Sequence, residues 1–134
     1  MKKSKGFTLI ELLVVIAIIG ILAAIVLVSL RGATGKAKDT RVQAEVAQIP
    51  SLAELYYSDN DYSFSGFCDS ADLADIKSDI QTISGQAPTC HASADAYCFS
   101  AYLPNAGEWF CVDSEGRKVT NASDPCDSSN YDCQ

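Results

Sequence analysis

Histidine is almost missing from this sequence: His91 is the only one among 134 residues. It stands directly beside Cys90, and no C-x-x-C pair occurs, so the spacing that builds a tetrahedral zinc site is absent. G-x-S-x-G and H-E-x-x-H are lacking as well. The many carboxylates therefore have no partner for hydrolytic or metal chemistry, and the chain reads as non-enzymatic, with no cofactor and no metal. Basic residues run short after Arg41, where only Lys77, Arg117 and Lys118 follow. Net charge is −7, and without Lys2, Lys3 and Lys5 seven Lys/Arg face seventeen Asp/Glu, a balance of −10. Such a surface repels phosphate backbones, which argues against nucleic-acid binding by a lone copy. The GATGK stretch at 32–36 is no phosphate loop. Leu30 stands where the first glycine belongs, and Ala37 replaces the Ser/Thr after the lysine.

Cysteine is absent from the first half and concentrated in the second, as Cys68, Cys90, Cys98, Cys111, Cys126 and Cys133. An even number on one side of an apolar segment reads as disulfides formed outside the cytoplasm. Those bridges also support a head of about a hundred residues, too small for a generous core. Charge is nearly absent from Phe7 to Leu30, where FTLIELLVVIAIIGILAAIVLVSL carries only Glu11. As a helix this run is about 36 Å long, enough to cross a bilayer. It is too long for a secretory signal, and no small-x-small cleavage site ends it. Lysines flank it on one side and Arg31, Lys36, Lys38 and Arg41 on the other, so charge leaves its orientation open. The cysteines place the C-terminal part outside, with the second basic cluster at headgroup level.

Glu11 is the anomaly in that run. A carboxylate inside an apolar span costs a few kcal/mol, unless it snorkels to the membrane edge or meets a cation at its own depth. A cut between Gly6 and Phe7 creates such a cation, the new α-amine, which Glu11 of a neighbouring copy can neutralise in a bundle of these helices. KSKG/FTLIELLVVIAIIGILAAI resembles the N-terminus of type IV prepilins and of type II secretion pseudopilins. It has a short basic leader (Met1 to Gly6), glycine before the cut, Phe7 after it, and Glu as the fifth residue of the mature chain. The resemblance implies cleavage after Gly6 by a membrane prepilin peptidase, usually with N-methylation of Phe7. It also implies an inner-membrane assembly platform with a cytoplasmic ATPase, and self-assembly into a helical filament. The subunit then passes from a single-pass membrane precursor, C-terminus outside, to a cell-surface fibre. A pilus subunit is the leading reading; a pseudopilin or minor pilin of a secretion or DNA-uptake system is the second. A membrane-tethered binding domain is the third, and it leaves the spacing of Gly6, Phe7 and Glu11 unexplained.

The resulting expectation is an α+β fold: a long N-terminal helix, a small antiparallel sheet, and disulfide-stapled loops. Val42, Val46, Ile49, Ala53 and Tyr56 recur at spacings of three and four, with Leu52 and Leu55 beside them. Lys38, Asp39, Arg41, Gln43, Glu45, Gln48 and Glu54 form the opposite, polar face. The apolar helix therefore continues as an amphipathic one to about Tyr57, roughly 75 Å in all. Gly32 and Gly35 weaken it, and Pro50 should bend it. The divisions are a leader (1–6), an apolar helix half (7–30) and a head (31–134). Within the head come an amphipathic half (31–57), a loop with a short helix (58–96), a β-meander (97–120) and an acidic tail (121–134).

Leu73, Ile76, Ile80 and Ile83 mark one face of the short helix, capped by Asp69 or Ser70. Tyr97 to Leu103, Glu108 to Asp113, and Arg117 to Thr120 read as three strands. Adjacent strands of one hairpin favour pairing Cys98 with Cys111; Cys126 and Cys133 then close a local tail loop, leaving Cys68 with Cys90. Asp59-x-Asp61-x-Ser63 is not an EF-hand, since Phe64 and Ser70 occupy its glycine and glutamate positions. Some pseudopilins hold calcium near the C-terminus, and Asp113, Glu115, Asp124, Asp127 and Asp132 are oxygen donors. Without a ligand motif they read as a solvated acidic loop. Asn121-Ala122-Ser123 is a glycosylation sequon of a kind common by chance.

Overall fold

The computed structural model describes residues 6–134, the side chain of Arg31 excepted. Lys2, Lys3 and Lys5, and with them most of the expected leader, lie outside the described residues. Helix α1 (Leu9–Asp59) is followed by a 3-10 turn (Phe67–Asp69) and α2 (Ala71–Ser84). Strands β1 (Thr89–Ala92), β2 (Tyr97–Leu103), β3 (Glu108–Asp113) and β4 (Lys118–Asn121) then pair antiparallel in the order β1-β2-β3-β4. The fold is α+β. Two units divide the chain, one up to Thr34 and one from Gly35 to Gln134.

In the second unit the stripe on α1 meets the sheet. Val42, Val46, Ile49 and Ala53 are fully buried against Phe99, Ala101, Leu103 and Val112, with Leu73 and Ile80 of α2 joining them. Each such side chain contributes about 1.5–3 kcal/mol by leaving water. Alternation sends Tyr97, Phe99, Ala101 and Leu103 of β2 into this core, and Cys98 of β2 and Cys111 of β3 into a second cluster with Cys126 and Cys133. Helix α1 stays helical through Pro50. It then leaves by two successive left-handed non-glycine residues, Asp61 and Tyr62. Helix α2 begins after Ser70, whose hydroxyl makes no capping bond, and closes on Gly85 at φ 79°. A left-handed stop of that kind suits a residue without Cβ.

Several expectations need correcting. The sheet has four strands rather than three, because Thr89–Ala92, expected to be loop, pairs with β2. Two cysteine pairings differ as well: the bridges are Cys68–Cys90, Cys98–Cys126 and Cys111–Cys133. Register explains the difference. Cys98 faces Asp113 and Cys111 faces Ser100, so the two strand cysteines are offset by two positions and never directly opposed. The tail instead crosses that face of the sheet, and Cys126 and Cys133 form an isolated backbone bridge, each within reach of a different strand.

Asp39 is not on the polar face. Its carboxylate is buried and accepts the backbone N–H groups of Asn105 and Ala106, both at 2.9 Å, in the β2–β3 turn. One turn earlier, a Cβ on Gly35 would fall 2.4 Å from the Asn105 side chain, which would have to move aside for any larger residue. Asp113 is likewise no solvated loop residue. It is 1 % exposed and accepts N–H groups from Glu115, Arg117 and Cys133 at 2.9–3.1 Å. Asp124 holds the hydroxyls of Thr89 and Ser100 and the Cys126 N–H.

Candidate assembly site

The first unit buries almost nothing. Among the described residues its large apolar side chains are all exposed, from 48 % at Val15 to 88 % at Phe7. Among the described residues α1 alone is long and apolar enough to cross a membrane. Leucine, isoleucine and valine sustain the helix without glycine or proline until Gly20, and they present apolar surface on every side. A helix of this kind is stable only inside lipid or among other helices.

Thr8 starts the helix, with Glu11 three residues on. The Glu11 N–H reaches Thr8 Oγ1 at 3.3 Å, and Glu11 Oε2 accepts the Thr8 backbone N–H at 2.8 Å and its hydroxyl at 2.7 Å. This reciprocal pair is a capping box, in which two otherwise orphaned donors are satisfied without water. Nothing in the residue-by-residue reading marked Thr8, although T-x-x-E before an apolar run is its signature. Both bonds fall on Oε2, and Oε1 receives none among the described residues. Phe7 lies one residue outside the box, and the space around Gly6 is open. Gly6, Phe7 and Glu11 thus stand together at the helix start, while the six cysteines lie in the head. Chemically, the arrangement offers a pre-oriented carboxylate with one free oxygen in an apolar setting.

Residues 1–27 match the family model for the prokaryotic N-terminal methylation motif. The chain is 38 % identical over 112 residues to the type IV wide pilus major component PilA4 of Thermus thermophilus, which spans 84 % of this chain and 83 % of that protein. This chain belongs to the type IV pilin family. Narrower likeness connects this pilin to a fimbrial protein of Pseudomonas aeruginosa, 50 % identical over 54 residues, 40 % of this chain and 35 % of that one. The type II secretion system core protein G of Klebsiella michiganensis is 39 % identical over 59 residues, 44 % of this chain and 42 % of that protein. No solved structure gives a significant match. The chain is therefore a pilin-like filament subunit that carries the methylation motif at its start.

Proposed function

We propose that this pilin is made as a single-pass membrane precursor, cut after Gly6 by a prepilin peptidase and methylated at Phe7. It then joins a surface filament through its 7–30 helix, with the 31–134 head outside. The observation that carries this reading is the wholly exposed apolar surface from Phe7 to Leu30, which has to be covered by lipid and afterwards by other copies. Three disulfides and no free cysteine in the head fit an oxidising exterior. Assembly requires an inner-membrane platform with a cytoplasmic ATPase, since drawing such a helix out of lipid is uphill on its own.

Glu11 acts at the moment of docking. Its own chain holds Oε2, and Oε1 takes the Phe7 amine of an adjacent copy, so neither charge enters the bundle unpaired. The Glu11→Ala variant is expected to insert and be processed normally but to give few filaments, counted by electron microscopy of sheared fibres. Abundant fibres of that variant would overturn the assigned role. Gly6→Lys is expected to retain the leader; a mass spectrum beginning at Phe7 refutes the cut. A pseudopilin role is the second reading, favoured by the likeness to a secretion core protein. The pilus-subunit reading leads because its match runs through the head.

A further inference from the structure

Two exposed features of the head stand at opposite ends of one helix stretch. Leu55 and Tyr62 are its large exposed apolar side chains among the described residues, at 56 % and 73 %. Both lie where α1 ends. Asp61 and Tyr62 hold left-handed backbone there, a conformation costly for non-glycine residues that keeps the Tyr62 ring edge-on to Tyr57 and facing outward. Asp59 and Asp61 precede Tyr62 in sequence and are exposed, and the last turn of α1 contains no basic residue. Carboxylates at a helix C-terminus oppose its dipole, so this charge is unfavourable in the isolated subunit.

The opposite charge sits at the other end of the same helix stretch. Lys38 is exposed and pairs with no acid among the described residues, unlike its neighbour Arg41, which binds Asp79 at 2.6 Å. Lys38 and Asp59 are about 31 Å apart along the axis and project within about 60° of one another. They can meet only between two copies displaced along the helix direction. We propose that the Leu55–Tyr62 patch of one subunit docks on the Lys38 segment of a second copy. Asp59 and Asp61 take the ammonium, and the lysine stem covers Leu55 and the Tyr62 ring. The contact rests on the filament reading above. It is head-to-tail, so repetition extends the fibre instead of closing a ring.

Carbodiimide, which joins amines to carboxylates without a spacer, tests this on sheared fibres of the full chain. The expected product is a peptide linking Lys38 to Asp59 or Asp61, necessarily intermolecular at the separation within one copy. Lys38→Glu is expected to lower fibre yield about tenfold, the scale of a lost interfacial charge pair. Lys118→Glu makes the same charge change on exposed β4 and is expected to leave the yield unchanged. The double variant Lys38→Glu/Asp59→Lys is expected to restore it. Normal wild-type fibres with no such cross-link, or Lys38→Glu fibres at wild-type yield, overturn the contact and leave the filament reading intact. Absence of fibres from the wild type overturns both.

Discussion

Ile21 and Ile49 are the same residue on the same helix, yet Ile21 is 64 % exposed and Ile49 is fully buried. The described residues before Gly35 resemble the first case. Its apolar surface belongs to an interior that other molecules have to provide. From Gly35 onward the chain supplies its own, with a sheet on one side of the helix, a second layer of cysteines beyond the sheet, and buried carboxylates at the joints. The core that folds the head is thereby separated along the sequence from the apolar half, and a substitution before Gly35 is expected to be silent to head folding.

The sharpest way to break that separation is to empty the head. Ile49→Ala is expected to cost the full-length protein in detergent about 2–5 kcal/mol of unfolding free energy. Ile21→Ala should leave the head transition where it was, and an equal shift for both would dissolve the distinction. Replacing Cys111 and Cys133 together by serine is expected to cost about 2–5 kcal/mol in the same measurement. The serine variant should still insert and be cleaved, as mass spectrometry of its N-terminus will show.

Asp39→Ala removes two charge-assisted bonds to the β2–β3 turn, with an expected loss of about 2–3 kcal/mol. Hydrogen exchange should then rise at Asn105 and Ala106 ahead of the sheet. A smaller effect is expected in alkali. Burial first, then Glu54 and Asp113, push the Tyr97 hydroxyl well above its usual range. A raised value in the folded state means full stability below the unfolded value of about 10 and a decline as pH climbs above it. Unfolding curves at pH 9 and 11 measure that decline, and Tyr97→Phe should flatten it. The least effect belongs to Asp127, lowered by bonds from Ser129 and then by nearby His91. Its contribution is present above about pH 4 and fades as pH falls through the depressed value, barely visible at so exposed a site.

Periodicity carried the fold a long way. The stripe of Val42, Val46, Ile49 and Ala53 named the buried side of α1, and Leu73 with Ile80 did the same for α2. The hairpin of β2 and β3 was legible from its aromatic and branched residues around Pro104-Asn105-Ala106-Gly107. What escaped depends on residues far apart in sequence. Asp39 lies among charged neighbours and is distinguished only by a turn more than sixty positions away. Cys98 and Cys111 share a hairpin, but their two-residue offset is a matter of register, and only the tail's return over the sheet selects their partners. Strand β1 is four residues long, too short to show alternation. At the candidate assembly site, Glu11 was conspicuous as the lone charge, whereas nothing singled out Thr8.

The interleaved bridges have a mechanical meaning. Because the Cys98–Cys126 and Cys111–Cys133 loops overlap, the last strands and the tail form a knot-like covalent mesh around the buried Asp113. Tension entering through one end of this segment meets cross-links before it can peel a strand. Stretch within one subunit is thus confined to the uncrosslinked parts of its chain.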